Sequence, residues 1–274
     1  MQKDLRFADY FLFTQYSLNT FESCPLKFKK RYLENLKWDS FPDESIRKRI
    51  ERGNDFHLLA YRYFMGIPTG LDALTEDSAD LKVWMNYLEE NFRRLPFRSY
   101  LPEYKLRMVT PTLKLEANFD LVIVEDERVE IWDWKTHGGV RSQNLSVIGN
   151  RLRNSLQTMV YLFVLAEQLP LVTGRPLPCG QISMHYWQPD KPHIIAEVNY
   201  SDVLHESFKL ALGEKIKRIL EYDYSGFDKS LYIKHCRFCE FNWFCNNEKL
   251  DFKAMQEDED FMEGLEWDMI EEKF

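Results

Sequence analysis

Two apolar runs in this chain each lead into an aspartate, and both aspartates can be buried only if their charge is answered. The first run is Asn118-Phe119-Asp120-Leu121-Val122-Ile123. The second is Val129-Glu130-Ile131-Trp132, which continues into Asp133-Trp134-Lys135. Short apolar runs rich in Val and Ile fit a pleated, largely buried surface, so both read as strands. A buried charge needs a partner or a metal ion. On adjacent strands Asp120 and Asp133 would reach one divalent cation, with Lys135 beside them. The three residues are therefore either a costly ion cluster or an active site.

The remaining pattern predicts helices over 14–37, capped by Thr14 or Ser17 and broken near Cys24-Pro25, and over 43–65, opened by Pro42-Asp43-Glu44-Ser45. Further helices are expected over 81–94, 152–168 and 201–222, the last capped by Ser201. Strands are expected over 103–109, 112–124 (bent or split), 128–136, 180–187 and 193–199. Helices, a β-meander, a helix, two strands and a helix make an α/β (α+β) chain with a small mixed sheet flanked by helices. We expect one domain over 1–250, followed by an acidic tail, 251–274.

The formal net charge of −8 argues against a nucleic-acid binder until it is located. Residues 251–274 hold ten acids and two bases, leaving 34 of each sign in residues 1–250. The body is neutral and can carry a local basic groove. The tail reads as a solvated terminus or, because Phe261, Met262, Leu265, Trp267, Met269 and Ile270 interleave with its acids, as a DNA mimic or partner peptide. No apolar run approaches the ~18–20 residues that span a bilayer, and the first residues lack a signal-peptide stretch. A cytoplasmic protein without membrane contact is expected.

Aspartates suit Mg²⁺ or Mn²⁺, which take hard oxygen ligands. Such an ion can polarise a phosphate and activate a water, and a nearby lysine can stabilise developing negative charge. His57, in Gly53-Asn54-Asp55-Phe56-His57, could add an imidazole ligand and tilt preference toward Mn²⁺. Gln157 and Tyr161 are i and i+4 on the helix after Lys135, so they share a face and could contact the lysine or a phosphate. Cys236-x2-Cys239-x5-Cys245 has ligand spacing, and Cys24 is available as a fourth thiolate. Spacing alone leaves zinc and an iron–sulfur cluster both open. Cys179 is left over.

Together these residues resemble the RecB-type, iron–sulfur branch of the PD-(D/E)XK nuclease superfamily, which includes helicase–nuclease nuclease domains and CRISPR-associated iron–sulfur exonucleases. The likeness lies in Ser17 to Phe28 around Cys24-Pro25, in G-x-x-x-H at Gly53–His57 and in Asp120. It continues through D-x-K-T at Asp133–Thr136, Q-x-x-x-Y at Gln157–Tyr161 and the three late cysteines. It runs from about residue 16 to 246. Ala117 departs from the glycine that many relatives place three residues before the first aspartate. The resemblance implies a restriction-endonuclease-like core. His57, Asp120 and Asp133 would bind Mn²⁺ or Mg²⁺. Lys135 would position water or stabilise the transition state, with Gln157 and Tyr161 orienting Lys135 or the phosphate. Cys24, Cys236, Cys239 and Cys245 would hold a [4Fe-4S] cluster, with zinc as the alternative, stapling the N- and C-terminal segments.

The expected activity is a metal-dependent deoxyribonuclease, an exonuclease on single-stranded DNA or DNA ends in repair or recombination. Alternatives are a CRISPR-adaptation nuclease trimming spacer DNA, a non-catalytic iron–sulfur module binding DNA or a partner, and a redox sensor. No G-x-x-x-x-G-K-[ST] string occurs, so a helicase partner would be a separate chain. Clusters at Lys27, Lys29, Lys30 and Arg31, at Arg47, Lys48 and Arg49, and at Arg141, Arg151 and Arg153 could follow a phosphate backbone.

Overall fold

The computed structural model describes residues 4–36, 44–71, 79–136, 145–236 and 239–248. Pro42, Asp43, Arg141 and the acidic tail lie outside the described residues, as does the side chain of Arg49. Helix α1 (Gln15–Ser23) begins with a capping box: Ser17 N–H donates to Thr14 Oγ1 at 3.2 Å, and Thr14 N–H donates to Ser17 Oγ at 2.9 Å. Pro25 suits the first turn of a helix, where its missing N–H costs nothing, so it opens α2 (Pro25–Phe28). A π-helical turn, Lys29–Leu33, follows. Helices α3 (Glu44–Met65) and α4 (Ala79–Asn91) precede the sheet.

Strands β1 (Ser99–Val109), β2 (Lys114–Val124) and β3 (Val129–Trp134) form an antiparallel meander. Residues 152–168 were expected as one helix but break in two. Ser155 leaves helical geometry and its hydroxyl accepts from Thr158 N–H at 3.2 Å, capping a new helix. The connection therefore holds α5 (Leu145–Arg153), α6 (Leu156–Glu167) and α7 (Leu169–Thr173). It returns to β4 (Ile182–Gln188), parallel to β3, then to antiparallel β5 (His193–Asn199) and α8 (Asp202–Glu221), capped by Ser201. Short helices α9 (Ile233–Cys236) and α10 (Asn242–Asn246) complete the described chain. The result is a mixed five-stranded sheet, ordered β1-β2-β3-β4-β5, flanked by helices. Among the described residues no helix is long and apolar enough to cross a membrane.

Each face of the sheet carries its own core. On one, Ile131, Met184, Tyr186 and Ala196 pack with α1, α6 and α8 through Leu18, Val160, Phe163 and Leu212. On the other, Leu121, Ile123, Trp134 and Trp187 pack with α3 and α4 through Phe56, Phe64, Met85 and Phe92. Alternation along a regular strand keeps one parity on one face, and β1 and β2 break that rule at the same level. In β2, Leu115, Ala117 and Phe119 enter the first core, but Leu121 and Ile123 enter the second. In β1, Tyr104, Leu106 and Met108 face the first core, but Tyr100 faces the second. The register passes from Tyr104 opposite Phe119 to Pro102 opposite Leu121, so Glu103 and Asp120 confront each other between rungs. Glu103 has φ 48°, in the left-handed region.

The outer edge of β5 is covered by α5. Gly149 permits the approach, since a Cβ there would lie 2.9 Å from the Ile195 carbonyl oxygen. Arg153 Nε donates to the Glu197 carbonyl at 3.1 Å. A covered edge is closed to pairing with another chain.

Candidate active site

His57, Glu103 and Asp120 converge where α3 crosses the paired irregularity of β1 and β2. His57 lies one residue after Phe56, which anchors α3 in the second core, and its own side chain is buried. Its Nδ1 is 3.4 Å from Glu103 Oε1 and 3.4 Å from Asp120 Oδ1. One ligand atom from each of the three residues lies within 4.8 Å of the others, a spacing that can hold a metal ion. Asp120 is fixed by the Trp134 backbone N–H, which donates to Oδ2 at 2.6 Å. Glu103 was missed from sequence. Its one signal is Pro102 before it, since proline inside a strand marks an edge or an irregularity.

Asp133 and Lys135 stand beside this group at the end of β3. The β2–β3 register ends with Leu121 opposite Trp132, and Asp120 and Asp133 are the next residue on each strand. Trp134 goes into the aromatic core against Phe92 (centroids 5.1 Å apart) and Trp187 (5.6 Å). Alternation sends Asp133 and Lys135 the other way, toward α6. Lys135 Nζ is 2.6 Å from Asp133 Oδ1. Gln157 bridges the two: its Nε2 donates to Asp133 Oδ2 at 2.6 Å, and its Oε1 accepts from Lys135 Nζ at 3.1 Å. Tyr161 lies one turn on, and its hydroxyl accepts from Gln15 Nε2 of α1 at 3.4 Å. The structure thus gathers all six sequence-identified residues of this centre and adds Glu103. The closest ligand set joins His57, Glu103 and Asp120, whereas Asp133 is held by Lys135 and Gln157.

The charges are strongly coupled. Burial opposes a charge on His57, but Asp120 and Glu103 outweigh it and raise its pKa to about 10. Burial pushes Asp133 up to about 6 against the pull of Lys135, with Asp120 adding to the rise. Burial also raises Glu103, opposed by His57. Tyr161 is raised well above the ordinary phenol value, by burial and then by Asp133 and Asp120. It is a neutral hydroxyl at every working pH.

The cysteines do not form one ligand set. Among the described residues, no three thiols lie within 4.8 Å of one another. A zinc site would need sulfurs about 3.8 Å apart, given Zn–S of about 2.3 Å, and the thiols of the staple that the resemblance implies are not gathered to that spacing. Cys24, between α1 and α2, nevertheless feels Cys236 and Cys245 as well as its own burial, and Cys239 feels Cys24. Burial pushes the Cys239 thiol up to about 12. The segments are joined by Glu240, nearly buried, whose Oε1 accepts from Arg31 Nη2 at 2.7 Å and whose Oε2 is 3.1 Å from Lys27 Nζ. Cys179 stands apart, next to Asp202.

The model of the PD-(D/E)XK nuclease superfamily matches residues 12–246. The chain belongs to the PD-(D/E)XK nuclease superfamily. Nucleases of this superfamily use divalent metals, and the donor set here fits one: two carboxylates and an imidazole, largely withdrawn from water. One atom of this set is left unsatisfied by the protein, since His57 Nε2 is buried without a hydrogen-bond partner. Among solved structures, the PD-(D/E)XK chain is similar to a candidate exonuclease from Eubacterium rectale, with 14% identity over 76% of this chain and 80% of that one and a TM-score of 0.49. It is also similar to SSO0001, with 15% identity over 62% of this chain and 67% of that one and a TM-score of 0.34. No curated protein matches it.

Proposed function

We propose that this PD-(D/E)XK nuclease is a metal-dependent deoxyribonuclease, an exonuclease acting on single-stranded DNA or DNA ends in repair or recombination. The observation that carries the reading is the buried His57–Glu103–Asp120 group set against Asp133, Lys135 and Gln157. Glu103, Asp120 and His57 would hold Mn²⁺ or Mg²⁺, with Asp133 beside them. When bound, such an ion polarises the phosphate and lowers the pKa of water. Asp133 keeps the Lys135 ammonium close, and Gln157 fixes the direction of its protons. Lys135 Nζ donates a hydrogen bond to the attacking water or to a non-bridging phosphate oxygen, where negative charge grows as the P–O bond to the leaving nucleotide breaks. Gln15 holds the Tyr161 hydroxyl against the same helix face.

In the same reading Cys24, Cys236, Cys239 and Cys245 hold a [4Fe-4S] cluster of structural role. Its support is the resemblance together with the Glu240 contacts that bring both thiol-bearing segments side by side. A separate helicase would supply the unwound strand.

The deciding experiment is cleavage of end-labelled single-stranded DNA by anaerobically purified protein with Mn²⁺, Mg²⁺ or chelator. Wild type should cleave only with metal. Lys135→Ala should lose at least about a hundredfold, the usual scale for removing a charge-stabilising donor, while keeping its melting temperature within a few degrees. Full activity in Lys135→Ala would overturn the assignment. Iron and acid-labile sulfide of about four each per chain test the cluster separately, and one zinc with no colour would remove it.

A further inference from the structure

Lys135 sits over an aromatic ring. Its Nζ is 5.3 Å from the centroid of Tyr186, which is fully buried on β4 and stands opposite Asp133 in the parallel register. The hydroxyl of Tyr186 is 2.7 Å from Thr158 Oγ1 and 3.5 Å from Ser155 Oγ. Thr158 Oγ1 gives its single proton to the Leu152 carbonyl at 2.6 Å. The Tyr186 hydroxyl must therefore be the donor to Thr158. Ser155 is the N-cap of α6, and Gln157 in the first turn of that helix touches both Asp133 and Lys135. One tyrosine thus meets the helix cap with its hydroxyl and the lysine with its ring.

A withdrawn ammonium is costly without partners, and the negative face of an aromatic ring supplies one without demanding a fixed proton direction. We propose that Tyr186 is a positioning residue for the nuclease reaction: its ring seats the Lys135 ammonium beside Asp133 and Gln157, and its hydroxyl ties that seat to the cap of α6. The proposal rests on the reading of Lys135 as the lysine of a nuclease centre. It separates two parts of one side chain. The ring acts on Lys135 directly, and the hydroxyl acts only through the placement of the ring.

Two variants test it first, with a single-stranded oligonucleotide as substrate and Mn²⁺ as the metal. Tyr186→Phe keeps the ring and should stay within about threefold of wild-type kcat. Tyr186→Met keeps most of the volume but loses the ring, and should lose about tenfold in kcat, the scale of one withdrawn cation–π contact. Its KM, and its Mn²⁺ affinity by calorimetry with the metal alone, should stay within about twofold, because neither contact is touched. Equal kcat in the two variants, or a change in KM rather than kcat, overturns the proposal. Fluorinated phenylalanines at position 186 keep the shape and drain the ring face, so they decide the matter should Tyr186→Met not fold. In that series kcat should fall with each added fluorine, and a flat series overturns the seat. If wild type cleaves nothing, the nuclease reading fails first. The seat is then read from melting temperatures of Tyr186→Met, Lys135→Met and the double variant. Losses smaller together than summed support contact, and strictly additive losses overturn it.

Discussion

His57 keeps its proton only because two carboxylates face it, and that proton would have to leave for the imidazole to bind a metal. With a pKa of about 10 in the fold against 6.5 when free, the imidazolium contributes stability that is whole below pH 6.5 and is lost as pH rises to about 10. Asp133, raised from 3.8 to about 6, favours its protonated form, so its contribution is lost as pH rises from about 4 through 6. Both run the same way. Chelator-treated protein should lose stability with rising pH, by up to about 1.4 kcal/mol per pH unit in the upper window. Denaturant melts at several pH values check this, and His57→Gln should flatten the curve above pH 6.5. Metal binding should run oppositely: Mn²⁺ affinity should rise with pH, and near pH 7.5 calorimetry in buffers of different ionisation enthalpy should find about one proton released. Glu103→Gln should weaken Mn²⁺ binding by about tenfold or more. That residue could not be read in advance. Asp120, Asp133 and Lys135 announce themselves as charges in apolar runs, whereas Glu103 gains its role from a backbone irregularity that places it opposite Asp120. His57, Gln157 and Tyr161 were singled out by motif spacing; the fold sets His57 against Asp120 and Gln157 against Asp133, whereas the Tyr161 hydroxyl meets Gln15.

Elements were legible where caps and periodicity agreed. Thr14 and Ser201 mark helix starts in the chain and in the fold alike, and Pro25, expected as a break, opens α2. The break at Ser155 was hidden because Leu152 and Leu156 keep helical spacing across it, so periodicity reads straight through a cap. The cap matters, because Ser155 begins the helix that presents Gln157. Removing it with Ser155→Ala should cost about 1 kcal/mol and lower kcat more than it raises KM, as steady-state assays would show. The cysteine segment was read for its thiols and not for Glu240. Burial would raise that carboxyl, but Lys27 and Arg31 outweigh burial and hold it below its ordinary value of 4.5. Its contribution is present above pH 4.5 and is lost as pH falls through its lowered pKa. Glu240→Ala strands two cations against α2 and its π turn. It should free the segment after α8 for proteolysis even in iron-free protein, whereas loss of cysteines alone should leave it docked. Limited proteolysis followed by mass spectrometry separates these outcomes.

At the scale of the molecule, the net charge of −8 falls entirely within 251–274. Truncation at 250 should raise affinity for single-stranded DNA at low salt, and the gain should vanish as salt screens it. Fluorescence anisotropy across a salt series would show the crossing, and equal curves for both forms would end any electrostatic role for those residues. The body owes its order to two cores separated by one sheet, and the candidate site lies where β1 and β2 exchange faces between them. In Glu103 and Asp120 each strand carries one residue beyond what alternation requires, and the two extras are aligned. Removing either alone would leave the other strand's extra residue unopposed and offset the rungs beyond it by one residue. Removing both would bring the strands back into step. The double deletion should therefore melt higher than either single deletion, and it should bind no metal. The candidate metal centre is in that sense a matched insertion: its carboxylates could be excised from the sheet as a pair, leaving a regular, silent fold behind.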